Sequence, residues 1–172
     1  MHQNVTNNLI KYALDDSHLS HLRTVKVCEK EHVDDLYTLI RNYSYKPFSK
    51  ALLKKLVKKS ESEICLELLY GTLGEGSEGF YELEPKACII AARSKNVNLT
   101  VLRFAHDPWF DAKVATVWAN YRIEQYMKRR KSIKKMCWFV DEKNLELQTT
   151  LRELHYTAKS IDEQNDLVFI KE

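Results

Sequence analysis

Glycine is scarce in this chain, and its distribution excludes a common kind of phosphate site. Only four glycines and three prolines occur in 172 residues, and all four glycines lie between Gly71 and Gly79. The GEGSEG run in that segment lacks the Gly-Lys-Ser/Thr ending and the strand–loop–helix context of a nucleotide-phosphate loop. We interpret it as a hairpin loop.

Long apolar runs and clustered metal ligands are also missing. No run reaches the roughly 18 to 20 residues that a membrane-spanning helix needs, and the first residues do not resemble a secretory signal. The four cysteines form no CxxC pair and the six histidines do not cluster with them, so no metal site is predicted. We expect buried, reduced thiols in a cytoplasmic protein without a membrane partner.

The charge is mild overall but uneven along the chain. The net charge is +3, and much of the basic excess lies in two runs, KALLKKLVKKS (Lys50–Ser60) and MKRRKSIKK (Met127–Lys135). These runs leave a nucleic-acid-associated factor open as a third, weaker hypothesis. Nucleic acid is not favoured as a partner, because no aromatic residues are interleaved with the basic ones.

Hydrophobic periodicity predicts one domain over residues 22–172, preceded by a polar extension or short helix over residues 1–21. A short strand from Leu22 is followed by a helix with the apolar stripe Val33, Leu36, Tyr37 and Ile40, and Ser49 caps a second helix. Strands are predicted at 63–71, 86–95 and 98–106, then a long helix over 111–131, a strand at 134–141 and a helix from Asn144. A hairpin around 164–165 ends the chain.

Two segments carry a family resemblance. LTVLRFAHDPWFDAKVATVW (Leu99–Trp118) and CWFVDEKNLELQTTLRELHY (Cys137–Tyr156), together with the element order, resemble the GNAT superfamily of acyl-CoA N-acyltransferases. The resemblance covers roughly residues 22–172. It implies an α/β (α+β) fold with a mixed, mostly antiparallel sheet of about six to seven strands, flanked by about four helices.

The turn before the long helix departs from the family pattern. In the family this turn reads Arg or Gln, two residues, Gly, one residue, then Gly or Ala, and its backbone N–H groups bind the coenzyme A pyrophosphate. In one register Asp111 replaces the basic residue, and Val114 and Thr116 replace the glycines; in the other, Lys113 and Ala115 take the glycine positions. The Asp111 charge would cost on the order of 1 kcal/mol near a pyrophosphate. Lys113 could offset it.

The resemblance also implies a set of site residues. Phe104, Ala105 and His106 would pair with the pantetheine, and Asn144 would support the cofactor from the other side. The pyrophosphate would meet the amides of Ala112, Lys113, Val114, Ala115 and Thr116. His106 is the candidate base, with Asp141 and Glu142 as alternatives. Leu151 stands where the family often has its acidic tyrosine, and Tyr156 is a weaker substitute nearby.

Two functions follow as expectations. The first is an N-acetyltransferase that transfers an acetyl group from acetyl-CoA to an unidentified small-molecule or protein amine. The alternative is a catalytically inactive GNAT-fold structural or protein-interaction module that has lost coenzyme A binding. The missing glycines, Asp111 and Leu151 favour the alternative. A homodimer is compatible with either function.

Overall fold

The computed structural model describes residues 22–27, 30–46, 48–59, 63–72, 83–94, 98–161 and 166–172. The predictions about the 1–21 extension, the GEGSEG loop and the 164–165 turn lie outside these residues, as does one of the four cysteines, Cys28. Four helices are described: α1 (Lys30–Tyr43), α2 (Lys50–Val57), α3 (Ala112–Lys128) and α4 (Leu145–Glu153). The seven strands are β1 (Arg23–Lys26), β2 (Ile64–Thr72), β3 (Leu83–Arg93), β4 (Asn98–His106), β5 (Lys135–Asp141), β6 (Thr157–Ile161) and β7 (Asp166–Lys171).

The strands form one sheet in the order β1-β2-β3-β4-β5-β7-β6. Every neighbouring pair is antiparallel except β4 and β5, which run parallel. The parallel pair needs a crossover connection, and α3 supplies it. The predicted mixed, mostly antiparallel sheet flanked by four helices is therefore confirmed. The long helix ends at Lys128, three residues before the predicted end at 131.

The sheet separates two apolar cores. Along β3, Ile89 and Ala91 belong to the core that α3 and α4 cover, whereas Cys88 and Ile90 belong to the core under α1 and α2. Side chains alternate along a strand, so a strand covered on both faces is apolar throughout. This is why β3 reads as a continuous apolar run.

Side chains that cap the first turns of α2 and α4 fix where these two helices begin. The side chain of Ser49 accepts the amide of Leu52 at 3.1 Å at the start of α2, as predicted. Asn144, where a helix was predicted to begin, caps α4 in the same way. Cys65, Cys88 and Cys137 are buried and free, in agreement with the expected reduced thiols. Within the described ranges, no helix is long and apolar enough to cross a membrane.

Candidate functional site

A bulge in β4 opens a cleft between the two parallel strands. The pairing of β4 with β5 ends where Val101 faces Trp138. Against β3, Arg103 pairs with Ile90 and Val101 with Ala91, so Leu102 is an extra residue in β4. A bulge of this kind bends its strand. Since β5 continues alongside β7, the two parallel strands part beyond Val101.

The cleft collects six of the residues that the sequence assigned to a cofactor site. Its lining includes Phe104, Ala105, His106, Ala112, Thr116 and Asn144. Lys113, Val114, Ala115 and Tyr156 do not line it. The predicted residues from β4, α3 and α4 thus meet at one place, and their roles there stay predictions.

The first turn of α3 is already capped by an acidic side chain. The carboxylate of Asp111 accepts the amide of Val114 at 2.8 Å, and the amide of Ala115 donates to the Asp111 carbonyl at 3.0 Å. The amides of Ala112 and Lys113 are therefore the first-turn donors that lie outside the helical ladder and away from this cap. The Lys113 ammonium lies 2.7 Å from Glu153, so it does not offset the Asp111 charge.

Ala115 and Thr116 are buried, although Thr116 also lines the cleft. Ala115 is fully buried in a small cluster with Leu69 and Ala87. The hydroxyl of Thr116 donates to the carbonyl of Ala112 at 2.8 Å, and Thr116 is 2% exposed. The amide of Ala115 is already used by the helix, because it donates to the Asp111 carbonyl.

His106 lies at the end of β4 with its tautomer set by the backbone. Its Nδ1 is 3.0 Å from the carbonyl oxygen of Asp107. A carbonyl oxygen can only accept a hydrogen bond, so Nδ1 carries the proton. In the neutral ring, Nε2 then carries a lone pair that can accept a proton. The half-buried imidazole also lies against the Phe104 ring, at a centroid distance of 5.8 Å. His106 lines the cleft, and its role as a base stays a prediction.

Tyr156 is a core residue, which corrects its assignment as a weak catalytic candidate. It is 3% exposed, and its hydroxyl donates to Oδ1 of Asn120 at 2.8 Å. Burial raises the pKa of Tyr156 above its ordinary value. Its ring packs edge-on against Trp138. The hydroxyl therefore stays protonated inside the core, where it cannot meet a leaving group in the cleft.

Asn144 and Asp141 use their side chains to shape the far wall of the cleft. Oδ1 of Asn144 accepts the amide of Leu147 at 3.1 Å, which leaves its amide nitrogen available toward the cleft. The carboxylate of Asp141 accepts the amide of Lys143 at 2.9 Å. Asp141 lines the cleft, whereas Glu142 does not.

Sequence reasoning missed three aromatic side chains at the cleft mouth and a carboxylate bonded to one of them. Tyr43, Tyr45 and Phe139 line it and are 44%, 53% and 42% exposed. Tyr45 and Lys46 both donate to the buried carboxylate of Asp166 at the start of β7. Burial alone would raise the pKa of Asp166, but these two donors hold it below its ordinary value. No local motif signals this contact, since its partners are distant in sequence.

Known proteins resemble this chain in structure and not in sequence. No model of a known protein family matches it. No curated protein matches it either.

Three solved structures illustrate the structural likeness. A ribosomal-protein alanine N-acetyltransferase from Escherichia coli is 13% identical over 87% of this chain and 90% of its own, with a TM-score of 0.62. The PaiA N-acetyltransferase from Thermoplasma acidophilum, in complex with coenzyme A, is 14% identical over 88% and 98%, with a TM-score of 0.61. An acetyltransferase of the GNAT family from Staphylococcus aureus is 9% identical over 87% and 98%, with a TM-score of 0.66. The chain therefore has the GNAT fold at low sequence identity.

Proposed function

We propose that the chain binds acetyl-CoA in the cleft between β4 and β5 and transfers the acetyl group to an amine. The observation that carries this proposal is the open edge of β4 from Arg103 to His106, exposed by the bulge at Leu102. A strand edge without a partner binds extended groups that carry alternating amide donors and acceptors. The pantetheine arm of coenzyme A is such a group.

The walls of the cleft fit that arm over most of its length. Phe104 and Trp138 give it an apolar side, with their rings edge to face at a centroid distance of 5.5 Å. Ala112 and Asn144 bring a helix N-terminus and an amide side chain to its two sides. The fit is poorest at the phosphate end, where Asp111 occupies the Val114 amide.

The chemistry needs little more than positioning and one proton acceptor. Bound acetyl-CoA supplies an activated thioester. An amine that attacks it must lose a proton, and Nε2 of His106 is the acceptor that the Asp107 carbonyl holds in the correct tautomer. The aromatic residues Tyr43, Tyr45 and Phe139 border the opening through which an amine would enter.

A specific observation favours a second candidate, the interaction module without coenzyme A. A phosphate at the N-terminus of α3 would lie near the Asp111 carboxylate, and the cationic Lys113 is engaged by Glu153. Both contacts work against a second anion at this turn.

Calorimetric titration of acetyl-CoA tests the first proposal, with one variant and its matched control. Ala112→Glu places an acid in the first turn of α3, which helices favour but which would repel a pyrophosphate. Ala51→Glu makes the same change in the first turn of α2, where Ala51 is exposed and far from the cleft. Both variants should remain folded.

We expect micromolar binding by the wild type and by Ala51→Glu, and affinity about tenfold lower for Ala112→Glu. Absence of binding by the wild type would reject the acyltransferase in favour of the interaction module. Equal affinity in all three proteins would place the phosphates away from α3.

A further inference from the structure

We propose that the chain has a second binding site, for an organic phosphate, at the opposite end of α3 from the cleft. A helix of 17 residues is about 25 Å long, so the two sites are well separated. The pocket lies between the end of β1, the end of α2, the start of β2 and the last turns of α3. The proposal does not depend on acetyl-CoA binding.

The fold brings the two basic runs of the sequence together at this pocket. Lys59 comes from the first run, and Arg129 and Arg130 come from the second. Lys26 and Arg122 complete a lining of five cations, against which Glu67 is the single carboxylate. The lining therefore carries a net charge of +4 and produces a positive potential that attracts an anion.

The carboxylate in the pocket does not neutralise the rim. Glu67 is 6% exposed and forms a bidentate ion pair with Arg122. Nη2 of Arg122 donates to Oε1 of Glu67 at 3.0 Å, and Nε of Arg122 donates to the other carboxylate oxygen. Lys59 and Arg129 are exposed, and neither forms an ion pair with a residue in the described ranges. These two side chains are available to a ligand.

An unsatisfied hydroxyl in the same wall points to the same ligand chemistry. Tyr126 lines the pocket and is 8% exposed, and its hydroxyl has no hydrogen-bond partner in the described part of the chain. Burial raises its pKa, so it remains an O–H donor. The guanidinium of Arg130 lies 3.8 Å from the centre of the Tyr126 ring and would turn outward to admit a ligand. Cations and a donor without an acceptor together match a group that only accepts, such as a phosphate.

The floor of the pocket selects an organic phosphate over a bare ion. Val27, Val57 and Leu66 form an apolar floor beneath the cationic rim. A nucleic acid would instead need an extended groove with stacking aromatic side chains. The combination suits one small molecule with an apolar body and a phosphate at its end.

Phenyl phosphate is a suitable probe, titrated at constant ionic strength and followed by calorimetry and amide chemical shifts. We expect it to bind at least about tenfold more tightly than inorganic phosphate, because its ring covers the apolar floor. The largest amide shifts should fall on Lys59, Leu66 and Arg129. Failure to bind at millimolar concentration, or shifts confined to Ala112–Thr116, would overturn the proposal.

Charge-reversal variants with neighbouring controls test the rim. Lys59→Glu and Arg129→Glu should each weaken binding about tenfold or more. Lys55→Glu and Lys128→Glu reverse exposed charges in the last turns of α2 and α3, close to Lys59 and Arg129 in sequence but outside the pocket lining, and they should leave binding within about twofold. Equal losses in all four variants would show a general charge effect and reject a built site.

Tyr126→Phe separates a ligand contact from a structural role. It keeps the ring beneath Arg130 and removes a hydroxyl that has no partner to lose, so the melting temperature should not fall. Affinity for phenyl phosphate should fall several-fold, and unchanged affinity would contradict the proposal.

Tighter binding of a short single-stranded DNA oligonucleotide, lost in Lys59→Glu and Arg129→Glu, would replace the small organic phosphate with nucleic acid.

Discussion

The carboxylate of Asp111 accepts a hydrogen bond from the backbone amide of Val114 at 2.8 Å. The chain thus supplies its own anion to the N-terminus of α3, the turn at which the family resemblance implies a coenzyme A phosphate. A ligand phosphate must displace this carboxylate or bind beside it at the amides of Ala112 and Lys113. The contact therefore makes Asp111 the residue at which the two proposed functions can be tested.

Asp111→Ser tests the effect of the carboxylate charge separately from that of the capping hydrogen bond. Serine also caps helices, so the variant keeps an acceptor for the Val114 amide and removes only the negative charge. We expect the affinity for acetyl-CoA to rise about five- to tenfold, since a nearby unit charge costs on the order of 1 kcal/mol. Calorimetric titration measures the change.

Glu31→Ser is the control for net charge, because Glu31 is an exposed acid in the first turn of α1. It should leave the affinity unchanged. Binding that is equal in the wild type and in Asp111→Ser would show that the phosphates do not approach this turn.

His106→Gln tests the proposed proton acceptor. Glutamine can still bind the backbone but cannot take a proton from an amine. We expect the turnover number to fall at least about a hundredfold while acetyl-CoA affinity stays the same. Release of the coenzyme A thiol in the presence of a panel of amines measures the rate.

His32→Gln, on α1 and outside the cleft lining, should keep the wild-type rate. A variant of His106 that also keeps it would remove that residue from the chemistry.

The fold could be predicted because its signals are local. The alternation along β4, the apolar stripe of α1 and the caps at Ser49 and Asn144 each act within a few residues. The role of Asp111 was missed for an instructive reason. The family pattern assigns that position to a cofactor contact, whereas the general rule for helix starts already favours aspartate as a cap.

The site was harder to predict because its parts are far apart in sequence. Tyr45 and Asp166 meet only when the segment after α1 reaches the start of β7. Likewise, Lys59 and Arg129 share one pocket only after α2 and α3 have packed on the sheet. Periodicity indicates which face of an element is buried, but it does not give the distance between the ends of two elements.

The carboxylate of Asp166 should make stability depend on pH. Its pKa lies below the ordinary value because Tyr45 and Lys46 donate to the ionised form, which outweighs the opposing effect of burial. A lowered pKa in the folded state stabilises the protein above the unfolded pKa of about 3.9. This stabilisation is lost as the pH falls through the folded value.

Asp166→Asn should therefore lower the free energy of unfolding by about 2 kcal/mol at pH 7, because Lys46 loses the counter-charge of the buried Asp166 carboxylate. The difference from the wild type should be constant between about pH 5 and 7 and should shrink below about pH 4. Urea unfolding at pH 7, 5 and 3 provides the comparison. Asp34→Asn removes the exposed partner of Lys50 and should have no measurable effect. A constant difference down to pH 3 would mean that Asp166 is not held ionised.

His155 occupies a backbone conformation that favours glycine. Its φ is 68°, and it follows α4 in a closing motif in which the amide of Tyr156 donates to the carbonyl of Leu151 at 2.9 Å. The amide of His155 donates to the carbonyl of Arg152, also at 2.9 Å. Helices commonly end in this way with glycine at the left-handed position. The chain forms this turn with a histidine at the position where glycine is usual.

His155→Gly should consequently be more stable than His155→Ala. Both variants lack the imidazole, but only alanine keeps the Cβ that causes the left-handed strain. Relief of that strain contributes about 1 to 2 kcal/mol, and the greater freedom of glycine in the unfolded chain offsets about 0.4 to 1 kcal/mol of it. We expect the free energy of unfolding, measured by urea titration, to be about 0.5 to 1 kcal/mol higher for the glycine variant. If glycine were instead less stable than alanine, the backbone strain itself would have to be absent.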